Sequence, residues 1–563
     1  MIRRLLALLA AMVAVLALTA CSGLPTSGSV NPGLPQEDVP DAPDFLFQPN
    51  SPQPGMTPQQ IVQGFVDAAT SPENGWAIAR EFLAPELSAT WNPEARVTIA
   101  EDRVYAALSD EEIVLTVTPS ADVDEQGAYA VSDGGATTTL PFRLAQQEDG
   151  EWRITQARDG IVLDRDFFVA VFDSYSVMFF DPSWQFLVPD VRWFPARANA
   201  ATRVTRALID GAPSPWLAAS VFSAVPEDVA LATQSVTVDA DRAATVELSE
   251  AALGLDSATL DRIQAQVEDS LATAGVQSVQ LAVGGAPLDA TAAPTRSTAV
   301  DTRPLVLTEA GFGFLSGDEI TPLPGLSETI TDNLGAPALA IQVSPDRDAA
   351  AVRIEGGAVA RALADGTVLE TDTRPGLVDP SIDPQGYIWS VPRDSPSAVL
   401  VSGAEGAPAT SVAGAWGDAS QIQAMRVSRD GTRVAALITA GTQHWAVVAG
   451  VIRNEDGVPV GLGEPHRLGR LPGPGIAAGW LNPQSIGIAA VEGEATVVVD
   501  QLVGGEASST DAPDGITALV GANQVSAVRL RDTDGILYVK RGSNWSQAAT
   551  GIAVLASQQG TPR

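Results

Sequence analysis

The sequence predicts a multidomain chain, with two α+β domains followed by an all-β propeller of about six blades. Three observations predict it. Between residues 56 and 300 the apolar spacing switches twice from a helical period to a period of two. Beyond about residue 303 helical periodicity ends, and short apolar runs alternate with Gly, Pro and Asp turns. Within that region "IQVSPDRDAAAVRI", "PSIDPQGYIWSV", "MRVSRDGTRVAALI" and "GWLNPQSIGIAAV" share a strand–polar turn–strand form. Their anchors Ser344, Asp383, Ser428 and Asn482 recur at about forty to fifty-five residues, the spacing of four-stranded blades. In such turns the polar side chain bonds its own backbone, so the repeated Asp is expected to be structural.

The N-terminus reads as an export signal. Arg3 and Arg4 precede the apolar run "LLALLAAMVAVLAL", which is shorter than a bilayer span prefers. Leu18-Thr19-Ala20-Cys21 resembles the bacterial lipobox, with Leu18, Thr19 and Ala20 read by the signal peptidase. Cys21, the only cysteine in the chain, supplies the thiol that accepts a diacylglyceryl group. A lone cysteine outside the cytoplasm is otherwise unusual, because exported proteins pair their thiols or lack them. Two or three acyl chains anchor a protein stably, since each buried methylene contributes about 0.8 kcal/mol. No later segment reads as a span: "FFVAVFDSYSVMFF" is broken by Asp173 and alternates like a strand.

The formal net charge is -35, and Lys540 is the only lysine. Such a surface repels polyphosphate and anionic lipid, so no nucleic-acid partner and no electrostatic membrane attachment are expected. An acidic body held at a membrane needs a covalent tether.

Residues 1–20 are assigned to the signal peptide and 21–55, rich in Pro, Gly and Ser, to a semi-extended tether. An N-terminal α+β domain occupies 56–185. Thr57, Pro58 and Gln60 form a capping box, with Ile61, Phe65 and Ala69 on one helical face. A second helix, "GWAIAREFLAPEL", is expected to bury Trp76, Phe82 and Leu83 and to stop at Pro85. "LPFRLAQQEDGEWRIT" is a hairpin turning at Asp149-Gly150, and "SYSVMFFDPSWQFLVPD" is another around Asp181-Pro182-Ser183. Two helices before a curved sheet suggest a cone similar to the nuclear-transport-factor fold.

A second α+β module occupies 186–300. Val204 and Leu208 share a helical face with Gly211 as C-cap. "SVTVDADRAATVELS" is a hairpin, with Val236 and Val238 on one arm and Val246 and Leu248 on the other. In "DSATLDRIQAQVEDSLATAG" the buried stripe is expected at Leu260, Ile263, Val267 and Leu271, with Gly275 ending the helix. A strand through Val279, Leu281 and Val283 follows. Residues 301–563 form the propeller.

This order resembles the LpqB family of actinobacterial lipoproteins, which combine a lipobox, an N-terminal domain, a GerMN module and a propeller. "FFDPSWQFLVPDVRWFP" looks like the family's junction into its central module. "RALIDGAP", "SAVPEDVAL" and "VTVDADRAATVELS" are similar to the GerMN pattern. The resemblance implies a lipid-anchored accessory of the MtrA–MtrB two-component system. Its expected partner is the extracellular domain of the sensor histidine kinase MtrB.

Catalytic constellations are sparse. No GxSxG elbow is present, and His444 and His466, the only histidines, lack cysteine or carboxylate at ligand spacing. "GFGFLSG" reads as a tight blade turn rather than a phosphate loop. Asp532-Thr533-Asp534-Gly535 lacks the later bidentate Glu of a calcium loop, and Asp239 and Asp241 fit a turn. No cofactor or metal is expected. The reading is therefore a non-enzymatic regulatory lipoprotein. The alternative is a secreted propeller glycosidase or lyase whose acids converge in the central channel.

Overall fold

The computed structural model describes residues 49–132, 134–196, 199–403 and 408–562. The signal segment, Leu18, Thr19, Ala20, Cys21 and the tether up to residue 48 lie outside the described residues.

The N-terminal domain begins with the helix Pro58–Ala68. Thr57 Oγ1 accepts from the Gln60 N–H at 3.3 Å, and Gln60 Oε1 accepts from the Thr57 N–H at 2.9 Å, completing the capping box. Ile61, Phe65 and Ala69 are buried as the spacing predicts. The second helix is shorter than expected, Ala77–Arg80. Pro85 opens a third helix, Pro85–Thr90, at its first turn instead of ending the second, because that position needs no N–H donor. Trp76, Phe82 and Leu83 are nevertheless buried. The sheet runs Trp152–Gln156, Thr138–Gln146, Glu112–Asp124, Arg96–Ser109, Ile161–Asp164, and its last pair is parallel.

"FFVAVFDSYSVMFF" is half helix, Arg165–Val171, and half strand, Phe172–Phe180. That strand pairs with Leu187–Pro195 around a loop in which Asp181 Oδ1 accepts from the N–H groups of Gln185 at 2.7 Å and Phe186 at 2.6 Å. The sequence predicts this hairpin at the close of the N-terminal domain. Tyr175, Val177, Phe179 and Val188 pack instead in the core of the central module.

In that module the helices Ala200–Ile209 and Ser257–Ala272 pack on each other and on the strand Phe172–Phe180, and Ser257–Ala272 also packs on a sheet in which Ala243–Glu247 runs parallel to Ser278–Val283. Ile263, Val267 and Leu271 are fully buried, whereas Leu260, one turn from the N-terminus, is half-buried. Val246 and Leu248 are buried, but Val238 is 40 % exposed because its short strand lies at the sheet edge. Gly211 is needed for space rather than for a left-handed cap. A Cβ there would overlap the Ala207 carbonyl, and the C-cap is Asp210.

The remaining strands form, among the described residues, six groups, five of four strands and one of five, in which His466–Arg470 is an additional partner of Gln443–Arg453. The groups after the first open with Ala338–Val343, Ser381–Ile382, Gln421–Val427, Gly475–Trp480 and Ile516–Val520. The first group joins both ends of the region: C-terminal Val554–Gln558 pairs with Leu305–Thr308 through Leu305↔Ala556 and Val306↔Leu555. This pairing removes the free edge that an open ring of blades would leave. "GFGFLSG" is a strand, Gly311–Ser316, rather than a turn. Its alternating Phe312 and Phe314 are buried.

One strand joins two cores and the propeller backbone. Along Leu187–Pro195, Trp193 packs in the N-terminal core against Phe168, with ring centroids 4.9 Å apart, while Phe194 packs in the central core. The Trp193 Nε1–H donates to the propeller carbonyl of Gly504 at 2.8 Å. Gly504 has φ +85°, a conformation that favours glycine. Beside it Arg192 and Asp190, each 2 % exposed, pair at 2.7 Å. Arg192 also donates to the Gln126 and Ala212 carbonyls, and Asp190 accepts from Ser214 N–H and Oγ–H, both at 2.7 Å. Arg192→Ala leaves a buried carboxylate uncompensated and should cost about 3–5 kcal/mol. Exposed Arg541→Ala should stay within about 0.5 kcal/mol. Denaturant melts of the two variants check this.

Candidate functional site

The propeller turns position the candidate site. Each turn anchor uses its side chain on its own backbone. Ser344 Oγ accepts from the Ala349 N–H at 3.2 Å, and Asp383 Oδ1 from Tyr387 N–H at 2.8 Å. Ser428 Oγ accepts from Arg433 N–H at 3.1 Å, and Asn482 Oδ1 from Ser485 N–H at 2.7 Å. These turns join the innermost strand of a blade to its neighbour. Two of them carry buried ion pairs, Asp430–Arg433 at 2.5 Å and Asp383–Arg453 at 2.7 Å. Five of the innermost strands, with Asp379 and Pro380 just before the sixth, surround one central channel of about 240 Å³.

The channel is arginine-lined. At one end Arg353 donates from Nε and Nη2 to Asp379 Oδ1 at 2.9 and 2.7 Å. From the other side Arg426 reaches Asp379 Oδ2 at 3.4 Å and the Asp379 carbonyl at 3.0 Å. Arg531 donates to the Ile552 carbonyl at 2.7 Å and to Thr517 Oγ1 at 3.0 Å. Solvent reaches this end, where Leu339 is 47 % exposed. Toward the other end lie Gln559 and Arg429. Buried Gln559 donates to the Ile382 and Val427 carbonyls, and buried Arg429 donates to the Trp480 carbonyl at 2.9 Å. Burial lowers the Arg426 and Arg531 pKa values and pushes Arg429 down to about 10.

Among the described lining residues Asp379 is the one carboxylate, and it lies between two guanidinium groups. The paired acids that glycoside hydrolysis uses therefore have no second member in this lining. The other sequence candidates fall into structural settings. Asp532 Oδ1 accepts from Asp534 and Ile536 N–H groups, and Asp239 Oδ1 from Asp241 and Ala243 N–H groups. Among the described residues no group of three or more His, Cys, Asp or Glu side chains could hold a metal ion. His444 Nδ1 lies 3.1 Å from Thr439 Oγ1. The channel arginines escaped the sequence reading because they come from separate blades. The one signal was an arginine inside an otherwise apolar strand, as in "AAAVRI" and "IQAMRV".

His466 sits where the central module meets the propeller. Its ring stacks on Trp216, with centroids 5.7 Å apart and planes at 14°. Nearby, a Cβ on Gly450 would overlap Ser220 Oγ. Burial lowers the His466 pKa, partly opposed by the Asp190 carboxylate. The unfolded chain therefore binds the proton more readily. The His466 contribution to stability is complete above the ordinary histidine pKa of about 6.5 and is lost as pH falls below it. The loss of melting temperature between pH 7.5 and 5.5 should be smaller in His466→Phe than in the native chain, as read by thermal melts at both pH values.

Three family descriptions match this chain in series. They are the lipoprotein LpqB N-terminal domain at residues 51–169, the sporulation and spore germination (Germane) domain at 176–289, and the lipoprotein LpqB beta-propeller domain at 307–555. Proteins named lipoprotein LpqB are similar over most of their length. That of Bifidobacterium longum is 26% identical over 592 residues, covering 98% of each chain. That of Rhodococcus jostii is 26% identical over 509 residues, covering 79% of this chain and 80% of the relative. That of Mycobacterium tuberculosis is 26% identical over 458 residues, covering 74% and 76%.

Proposed function

This chain belongs to the LpqB lipoprotein family, and from that premise we propose that it is a membrane-tethered regulatory protein without catalytic activity. It binds the extracytoplasmic domain of an MtrB-like sensor histidine kinase and tunes two-component signalling in the cell envelope. Cys21 carries the lipid after cleavage behind Leu18-Thr19-Ala20, on the outer face of the cytoplasmic membrane. The observation that carries this reading is the sequence order at the N-terminus. A basic pair, an apolar run and a lone cysteine precede a Pro/Gly/Ser-rich tether and a strongly acidic body. Among the described residues no helix is long and apolar enough to cross a membrane. A tether of this length holds the body near integral proteins of the same membrane at high effective concentration. A modest intrinsic affinity for the kinase then suffices. The propeller-enzyme reading has less support, because Asp379 is the single described carboxylate of the channel lining and is held by arginines.

Cys21→Ala should abolish lipid labelling and shift the full-length protein from the membrane fraction to the soluble fraction. Retention at the membrane with acyl chains attached would contradict the anchor. Calorimetry of the soluble Cys21→Ala protein with the kinase's extracytoplasmic domain should show binding that weakens with salt. Deletion should alter phosphorylation of the paired response regulator at constant kinase abundance. No heat of binding together with unchanged phosphorylation would remove the kinase assignment.

A further inference from the structure

The channel carries a charge opposite to that of the protein around it. In a chain of net charge -35, Arg353, Arg426, Arg429 and Arg531 converge on a cavity lined by one described carboxylate, Asp379. We propose that this channel binds a small oxyanion, a carboxylate or phosphate compound, which enters at the Arg353–Arg531 end and is held by their guanidinium groups.

Arg429 shows that the positive charge is not balanced from within. It is 7 % exposed, and its protein partners are carbonyls: Trp480 at 2.9 Å, Thr298 at 3.4 Å and Gly521 at 3.4 Å. Other buried arginines of this protein face carboxylates, as in Arg192–Asp190, Arg433–Asp430 and Arg453–Asp383. Arg361 also rests on carbonyls, with burial lowering its pKa against the opposing Asp383 and Asp348 carboxylates, whereas among the described residues Arg429 forms no ion pair. A buried cation without a carboxylate partner leaves its charge to the channel, where it adds to the field that favours an anion.

The donors suit an oxyanion. Arg353 uses Nε and Nη2 on Asp379, and Arg531 uses Nε and Nη1 on Ile552 and Thr517, so among the described residues Arg353 Nη1 and Arg531 Nη2 retain N–H groups without a protein acceptor. Guanidinium groups bind carboxylate and phosphate strongly through charge-assisted hydrogen bonds. Size restricts the occupant. A cavity of about 240 Å³ is smaller than typical pockets for drug-sized ligands, so it fits a compact anion and not an envelope polymer. Field focusing in a narrow channel favours anion entry despite the acidic exterior.

Calorimetric titration of the full-length protein in detergent at low ionic strength tests this, with inorganic phosphate and malonate as separate probes. At least one should bind saturably at one site per chain. Phosphate alone assigns a phosphate compound, malonate alone a small carboxylate, and both together a general oxyanion site. Arg353→Gln and Arg531→Gln should each weaken binding about tenfold or more, while Arg541→Gln, outside the channel, should not. Asp379→Asn removes the competing carboxylate and should tighten binding several-fold, a gain that misfolding cannot produce. Absence of saturable binding by both probes overturns the proposal, as does binding that is indifferent to the Arg353, Arg531 and Asp379 substitutions.

Discussion

The buried strand Leu187–Pro195 is the constraint on which the rest of the structure depends. Neighbouring side chains on it serve different cores: Trp193 the N-terminal core, Phe194 the central core, and Trp193 Nε1 the propeller backbone at Gly504. The Asp190–Arg192 pair fixes the strand against Gln126 of the first domain and Ala212 and Ser214 of the second. Breaking such a pair on one side is far more costly than never having built it, so the strand has one satisfactory position. The Arg165–Glu506 ion pair at 3.0 Å and the Gln484–Ser176 hydrogen bond at 2.7 Å add contacts between the propeller and the two leading domains. For a tethered protein this matters: a body locked as one piece presents a fixed set of surfaces to a neighbour in the membrane.

The propeller contributes a second constraint, closure. The C-terminal strand Val554–Gln558 completes the group begun by Leu305–Thr308, so the ring is sealed by residues from both ends of the region. Closure brings the innermost strands around a common axis, and the channel chemistry follows from which residues they place there. The buried turn pairs, such as Asp430–Arg433, are neutral as units and spent on architecture. The channel arginines exceed their carboxylate partners. A surplus positive field inside an acidic protein marks this as the part of the propeller suited to recognising something other than itself.

What could be read from the sequence was what local chemistry decides. The capping box at Thr57 and Gln60, the turn anchors Ser344, Asp383, Ser428 and Asn482, and the turn aspartates Asp239 and Asp532 all act within a few residues of themselves. The structure departs from the sequence pattern where a distant partner decides. Leu260 has the right period but lies beyond the packed part of its helix. Pro85 is equally at home ending one helix or starting the next, and here it starts one. "GFGFLSG" has turn-like composition, yet its phenylalanines are buried in a strand. The Phe172–Phe180 hairpin was legible as a hairpin, while its allegiance to the central core depends on the facing helix Ser257–Ala272. The channel arginines could not be grouped at all without the ring that gathers them.

The central claim is that the Leu187–Pro195 strand couples three domains into one body. Hydrogen exchange of the full-length Trp193→Ala protein tests it most directly, because Trp193 touches two domains without lining the channel. The account predicts faster exchange at once in the N-terminal strand Tyr129–Val131, in the strand Phe172–Phe180 that pairs with Leu187–Pro195 in the central core, and in the propeller strand Ala495–Leu502, which leads into Gly504. Faster exchange confined to the N-terminal domain, with the propeller strand unchanged, would contradict it.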